Sequence, residues 1–78
     1  MRYFFNIRAG EQCFIDIWGQ KADESELLNH AVADARDMLR TSKITVRQWL
    51  AMGFEITDAG GALVLSVPFT EALDATLA

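Results

Sequence analysis

Two pairs of alternating apolar segments, one at each end of the chain, restrict the folds that this sequence can adopt. At the front, aromatic and branched residues alternate with more polar ones over residues 2–8, and the pattern recurs over residues 13–17. At the back, the same period of two runs over residues 54–58 and 62–67. A period of two is typical of β-strands, and the glycine-containing turns within each pair predict two β-hairpins.

The segment between the two hairpins has helical periodicity. Asp23 and Glu26 have the spacing of an N-terminal capping pair, and apolar residues then recur every three or four positions. This pattern predicts a main helix over residues 24–41. A short second helix is predicted at about 45–52, with Thr45 at its start. The fold class is therefore a two-layer α+β domain of ββαββ order, with a four-stranded antiparallel sheet and the main helix on one face.

The size and charge of the chain narrow its possible functions. Its 78 residues predict a single α+β domain over 1–78. The sole cysteine excludes an internal disulfide, and one cysteine with one histidine is too few for a zinc-type site, so no cofactor or metal is expected. The net charge of −4 disfavours nucleic acid and anionic membranes. No apolar run approaches the roughly 18 residues of a membrane span, and no secretion signal is recognised, so an intracellular, cytoplasmic location is predicted, and a bacterial cytoplasm fits it.

The main helix can cover only one face of the predicted sheet, the core face, on which alternation places Ile15, Ile17 and Leu63. Large apolar residues also fall on the other face. The predicted interface comprises Phe4, Phe14, Trp18 and Val64, with Trp49 from the short helix. Exposed apolar patches of this kind often mark interaction sites. The sequence thus predicts association with a protein partner or with a second copy, most simply as a two-fold homodimer. The alternatives are that the 45–52 segment or a last helical turn, predicted over residues 71–77, covers this face, or that a register slip of one residue exchanges the faces.

Four basic residues near the end of the main helix form a weak candidate for nucleic-acid contact. These are Arg36, Arg40, Lys43 and Arg47, and Trp49 is close enough in sequence to act as a stacking group. Compensation of the helix dipole explains the same residues without any ligand. Because the net charge is negative, nucleic-acid binding is not the favoured interpretation.

The candidates for catalysis are few. His30 precedes Asp34 by four residues, which is a possible spacing for a general base and its carboxylate, but no nucleophile accompanies them. Cys13 is predicted to lie on the apolar sheet face as a buried, unreactive residue. We therefore expect no enzymatic activity.

Five short motifs follow one another along nearly the whole chain. In order they are Arg2-Tyr3-Phe4-Phe5, Asp16-x-x-Gly19, Ala35-Arg36-x-x-Leu39, Phe54-Glu55-Ile56-x-Asp58 and Leu65-x-Val67-Pro68-Phe69. This order and spacing resemble a family of short bacterial proteins classed as a domain of unknown function. The resemblance implies the α+β architecture and a bacterial origin, and it supplies no catalytic residues. Trp18 departs from the family pattern, in which a small or acidic residue is more typical.

The sequence favours a small non-enzymatic protein-interaction module that self-associates through an aromatic sheet face. The alternative is an acidic inhibitor or antitoxin-like regulator that binds a basic protein surface. Net charge and small size motivate this alternative. The acidic start of the main helix, residues 23–28, looks similar to that of small antitoxins built from a hairpin and a helix, but the Pro-Gly signature usual in those proteins is missing, so this similarity concerns architecture only.

Overall fold

The computed structural model describes residues 1–41 and 43–73. In chain order the elements are strands β1 (Arg2–Ala9), β2 (Gln12–Phe14) and β3 (Gln20–Lys21), a 3₁₀ turn (Glu24–Glu26), helices α1 (Leu27–Thr41) and α2 (Val46–Leu50), and strands β4 (Met52–Thr57) and β5 (Leu63–Pro68). This order confirms the predicted α+β class, with one main helix and a short second helix between two strand pairs. The predicted last helical turn, residues 71–77, extends beyond the described residues.

The strands form an antiparallel sheet in the order β2-β1-β4-β5, and β3 also pairs with β1. Ile7 of β1 lies opposite Phe54 of β4 on one side and opposite Phe14 of β2 on the other. Cross-strand partners point to the same face of a sheet. Phe14 therefore shares the face of Ile7 and Phe54, which is the face that the helices cover.

The prediction of one continuous strand over residues 13–17 is wrong. The chain leaves the sheet after Phe14 and returns only at Gln20, and the register along β1 shifts by two residues between β2 and β3. The cause is the side chain of Asp16, whose Oδ2 accepts the backbone N–H of Phe5 at 3.0 Å. Asp side chains compete with the backbone for such hydrogen bonds, and here the side chain replaces a strand partner.

The predicted alternation of β5 is also interrupted, by a register irregularity between Ile56 and Thr57. Leu65 pairs with Ile56 and Leu63 pairs with Thr57, so β5 contains one more residue than β4 at this point. Such a β-bulge changes which face a side chain occupies. As a result, Val64 packs against the core and Leu63 is exposed, the reverse of the sequence prediction.

The main helix packs on the sheet through small residues. Leu27, Ala31 and Ala35 are its buried positions, and the two alanines allow a close approach to the strands. Asp23 occupies the N-terminal cap position, but its side chain makes no capping hydrogen bond, so the predicted capping pair at this helix is wrong.

The capping box lies instead at the short second helix. Thr45 Oγ1 accepts the N–H of Gln48 at 3.1 Å, and Gln48 Oε1 accepts the N–H of Thr45 at 2.9 Å. Two donors at the helix start are thus satisfied reciprocally. The predicted short helix with Thr45 at its start is confirmed.

Trp49 lies in the core, with 1% of its surface exposed. Its indole Nε1–H donates to the carbonyl of Ala35 at 2.8 Å, which joins α2 to α1. Its ring lies 5.7 Å from that of Phe69, which in turn lies 4.9 Å from that of Phe54. The sequence placed Trp49 at a surface interface, and the structure shows that this position is wrong.

Candidate protein-interaction surface

One edge of the sheet carries a loop, residues 15–19, that is held by a single carboxylate. Asp16 Oδ2 accepts the N–H of Phe5 from β1, and Asp16 Oδ1 accepts the N–H groups of Trp18 and Gly19, each at 3.0 Å. The carboxylate therefore ties the loop to β1 and also closes the turn that follows it. Gly19 completes this turn at a φ of +68°, a conformation that glycine adopts readily.

The buried side-chain amide of Asn6, on β1, holds the start of this loop by a hydrogen bond. Asn6 Oδ1 accepts the N–H of Asp16 at 2.9 Å, and Asn6 Nδ2 donates to the carbonyl of Glu55 at 3.1 Å and to Thr57 Oγ1 at 3.3 Å. Because Glu55 and Thr57 belong to β4, this single side chain connects the loop to two strands. The loop is consequently part of the rigid framework of the sheet.

Two opposing effects act on the acidity of Asp16. Partial burial by itself raises the pKa of its carboxyl group, because desolvation disfavours the charged form. Hydrogen bonds from the backbone of Gly19, Phe5 and Trp18, together with the positive charge of Arg2, outweigh this and lower the pKa below its ordinary value of 3.8. Asp16 is therefore ionised at neutral pH, and its hydrogen bonds are charge-assisted.

The side chains of the residues on either side of Asp16 are large, apolar and exposed. We call the following four residues the apolar edge segment, with the exposed fraction of each: Phe14 (55%), Ile15 (68%), Ile17 (75%) and Trp18 (79%). The carbonyl of Trp18 also accepts a hydrogen bond from the guanidinium of Arg2 at 2.7 Å. The segment is thus exposed while its backbone is held on both sides of Ile17.

A groove lies between β2 and α2, at one end of the apolar edge segment. Its volume is about 410 Å³, and it is lined by Ala9, Gly10, Gln12, Phe14, Ile44, Gln48, Ala51 and Met52. Most of these residues are apolar, and the two glutamines supply polar groups. Phe14 belongs both to this groove and to the apolar edge segment, so the two form one continuous surface.

The structure separates the five residues that the sequence assigned to one interface, four on a sheet face and Trp49 on the short helix. Phe14 and Trp18 are exposed, but Phe14 lies on the helix side of the sheet and Trp18 lies in the edge loop. Phe4 is half-buried, and Val64 and Trp49 contribute to the core. The predicted face is therefore not assembled as expected, and the exposed apolar residues lie along an edge of the sheet.

The sheet face that the helices leave uncovered is polar at its centre. Arg8 Nε and Nη2 donate to the two carboxylate oxygens of Glu55 at 2.7 and 3.0 Å. This hydrogen bonding, together with the opposite charges, raises the pKa of Arg8 and lowers the pKa of Glu55. An ion pair of this kind suits a face in contact with water.

The four basic residues considered for nucleic-acid contact do not lie on one continuous helix. Arg36 and Arg40 belong to α1, Arg47 belongs to α2, and Lys43 lies between the two helices. Arg36 donates to the carbonyl of Ala72 at 3.3 Å, and Arg40 forms an ion pair within α1 at 3.4 Å. Two of the four side chains thus have contacts within the chain.

His30 and Cys13 have simple surroundings. His30 Nε2 lies 3.4 Å from a carboxylate oxygen of Glu26, one helical turn earlier. Cys13 is exposed on β2, so its predicted burial is wrong.

Within residues 1–41 and 43–73, no group of three or more His, Cys, Asp and Glu side chains is placed to hold a metal ion. In the same described residues, no helix combines the length and apolar character needed to cross a membrane.

Sequence reasoning missed Ile15 and Ile17 as surface residues, because strict alternation placed them in the core. The available signal was Asp16 between them, with Gly19 three residues later. An Asp followed by a Gly at this distance is typical of a turn closed by the Asp side chain.

Comparisons with known proteins gave one match. No curated protein and no solved structure matches the chain. A family model described as a domain of unknown function, DUF6894, matches residues 2–70. The match extends from the start of β1 to just beyond β5, and it includes the apolar edge segment and the groove. This match confirms the resemblance to a domain of unknown function, and the chain belongs to the DUF6894 family of domains of unknown function.

Proposed function

We propose that this protein is a small, non-enzymatic protein-interaction module that self-associates through the apolar edge segment. The observation that carries the proposal is that four neighbouring large apolar side chains are 55–79% exposed. Monomeric proteins in solution rarely expose a contiguous apolar surface of this kind unless it is a binding site. The proposal includes a bacterial cytoplasmic location, because the five motifs resemble a family of short bacterial proteins and a chain with one cysteine does not depend on an oxidising compartment for an internal disulfide.

The area of the segment supports a contact between two copies. With about 200–250 Å² for a fully exposed aromatic side chain, Phe14 and Trp18 present roughly 300 Å². The two isoleucines raise this to roughly 450 Å² per copy. A standard interface takes about 800 Å² from each partner. The segment and the polar residues around it therefore suit an interface at the lower end of the size range, with an expected Kd in the micromolar range.

The rigidity of the segment also supports the proposal. Association is opposed by the entropy lost when loops and side chains become ordered. Because Asp16, Asn6 and Arg2 already hold the backbone of residues 15–19, little of this entropy remains to be lost on binding. The loop is thus organised for contact before any partner arrives.

The proposal is tested by measuring mass in solution across a concentration series by light scattering. We expect the wild type to become dimeric at micromolar to high-micromolar concentration. The double substitution Ile17→Ser with Trp18→Ser removes the two most exposed side chains of the segment, and we expect a folded monomer. The matched control is Leu28→Ser with Leu63→Ser, which removes two exposed leucines from α1 and β5.

The control is expected to dimerise as the wild type does. A wild type that stays monomeric at high-micromolar concentration would refute self-association. A dimer that survives the Ile17/Trp18 substitutions but is lost in the leucine control would move the interface away from the apolar edge segment. Far-ultraviolet circular dichroism of each variant verifies that the fold is retained.

The acidic regulator predicted as the alternative has one structural feature in its favour. Asp23, Glu24 and Glu26 are all exposed at the start of the helical region, and the carboxylate of Asp23 makes no capping hydrogen bond. Such a surface would attract a basic protein, and the attraction would weaken as salt rises. Loss of partner capture on substitution of these three residues by their amides, with capture unaffected in the Ile17/Trp18 variant, would favour this alternative.

A further inference from the structure

The two ends of the apolar edge segment have complementary shapes. At one end Trp18 projects as the most exposed aromatic side chain among the residues described. At the other end Phe14 forms a wall of the groove between β2 and α2. We infer that, in the self-associated state proposed above, Trp18 of one copy binds in this groove of the second copy, and the contact is reciprocal. This inference rests on the proposed function and specifies how the second copy is recognised.

The groove has the size and the lining that an indole ring needs. Its volume is about 410 Å³, whereas an apolar cavity of about 150 Å³ suffices to hold a benzene ring in another protein. Phe14, Ile44 and Met52 offer an apolar surface to the ring. A buried indole N–H requires an acceptor, and the side-chain amide of Gln12 on β2 lies in the lining to provide one.

Trp18 is suited to insertion because its backbone is already fixed. Its N–H donates to Asp16 and its carbonyl accepts from Arg2. Only the two side-chain torsions of the tryptophan need to become ordered on binding. Rigid aromatic residues of this type are frequent anchors at protein interfaces.

The positions of Trp18 and of the groove along the sheet edge are compatible with a two-fold axis. Trp18 is joined to Arg2 at the start of β1, and the groove includes Ala9 at the end of β1. Phe14, which lines the groove, precedes Trp18 by four residues, so the backbones at these two positions lie at most about 14 Å apart. A two-fold axis near the middle of this edge exchanges its ends, so Trp18 of each copy meets the groove of the other. Such an isologous contact is self-complementary.

The area supports a second copy as the occupant. Filling both grooves with Trp18 and burying the apolar edge segments covers roughly 1,000 Å² in total, which is near the lower limit for a specific interface. A single small ligand in the groove would leave Ile15, Ile17 and Trp18 exposed. A second copy covers the groove and these residues together.

The test uses two variants that damage opposite sides of the same contact. Trp18→Ser removes the projecting indole ring and leaves the groove intact. Ala51→Glu places a carboxylate at an exposed position of the groove lining, where docking of an indole would have to desolvate it. Ala59→Glu, at an exposed position in the turn between β4 and β5, is the control with the same change in charge. We expect each of the first two variants to dimerise at least tenfold more weakly than the wild type, and Ala59→Glu to match it.

Mixing the two weakened variants then tests the geometry. In a mixed dimer, Trp18 of the Ala51→Glu chain meets the intact groove of the Trp18→Ser chain, so one of the two contacts is restored. We expect mixed dimers, detected by native mass spectrometry, at concentrations where neither variant dimerises alone. The tryptophan emission of the Ala51→Glu chain should shift to shorter wavelength in the mixture, because Trp18 becomes buried.

Three results would overturn the inference. If Ala51→Glu dimerises as well as Ala59→Glu while Trp18→Ser does not, the groove is not the docking site, although the proposed function stands. If both variants are weakened but do not complement each other, Trp18 contacts some other surface. If the wild type is monomeric throughout, both the inference and the proposed self-association fail.

Discussion

Replacement of Asp16 tests whether one carboxylate organises the edge of the sheet. Asp16→Ala removes the acceptor of three backbone N–H groups at once. The hydrogen bond from Trp18 is exposed, so water can replace it, whereas Phe5 is buried and its hydrogen bond to Asp16 is partly buried. A hydrogen bond to a charged group contributes about 1.5–3 kcal/mol. With one bond lost fully and two replaced in part by water, we expect the free energy of unfolding to fall by about 2–3 kcal/mol.

This loss is large for a chain of this size, because 78 residues correspond to a total stability of about 4–12 kcal/mol. The assay is urea unfolding followed by circular dichroism. Asp16→Asn retains one oxygen acceptor but turns an NH₂ group toward one of the donors, so its loss should be intermediate, at about 1–2 kcal/mol. Asp34→Ala replaces an exposed carboxylate on α1 and should stay within about 0.5 kcal/mol of the wild type.

The effect of Asp16 depends on pH with a definite sign. Because its pKa is lower in the folded chain than in the unfolded chain, its contribution is complete above the ordinary value of 3.8 and is lost as the pH falls through the lowered value. The pKa of Glu55 is also lowered from its ordinary value of 4.5, so its contribution to stability is likewise lost at low pH. Because Glu55 is present in both the wild type and Asp16→Ala, it does not affect the difference between them. The difference between wild type and Asp16→Ala should therefore shrink below about pH 4. A loss under about 0.5 kcal/mol at pH 7, or an unchanged loss near pH 2, would refute the reasoning.

Three further substitutions test individual features of the fold by urea unfolding. Gly19→Ala should destabilise the fold more than Gly10→Ala. Both sites have positive φ, which costs about 1–2 kcal/mol for alanine, but of the two only Gly19 would place a Cβ within 2.9 Å of β1 atoms. Equal losses of stability would refute the close approach at Gly19. Trp49→Phe should cost about 2–3 kcal/mol, because it leaves a void and removes the 2.8 Å bond to Ala35; a loss below about 1 kcal/mol would contradict its core position. Thr45→Ala should cost about 1 kcal/mol and Thr45→Ser much less, because serine keeps the capping oxygen; equal losses in both would exclude the cap as the cause.

Alternation in the sequence was a reliable guide where both neighbours of a strand supply backbone partners. β1 and β4 follow it, and Phe5, Phe54 and Ile56 are buried as the pattern predicts. It failed at residues 15–17, because the side chain of Asp16 competes successfully with a strand carbonyl for the N–H of Phe5. Hydrophobicity alone carries no information about that competition, so Ile15 and Ile17 were placed in the core.

The misplacement of Trp49 has a different physical origin. The short helix was predicted correctly from its local cap, since Thr45 and Gln48 are close in sequence. The direction in which this helix packs depends on the hydrogen bond to Ala35, which is 14 residues away along the chain. The β-bulge that turns Val64 inward and Leu63 outward is likewise set by pairing with β4. Neither long-range relation leaves a periodic signal in the sequence.

The two edges of the sheet limit association in different ways, and this restricts the form that the proposed dimer can take. At the β5 edge, Pro68 lacks an N–H and the bulge disturbs the ladder, two features that discourage strand addition. At the other edge, β2 and β3 are interrupted by the loop that Asp16 holds, so a long backbone ladder cannot form there either. Contact at this edge must therefore depend on side chains, of which Trp18 and Phe14 are the largest. Side-chain contacts that are reciprocal about a two-fold axis are satisfied by two copies and leave no equivalent site open, so the self-association proposed above should stop at a dimer and not extend into a fibre.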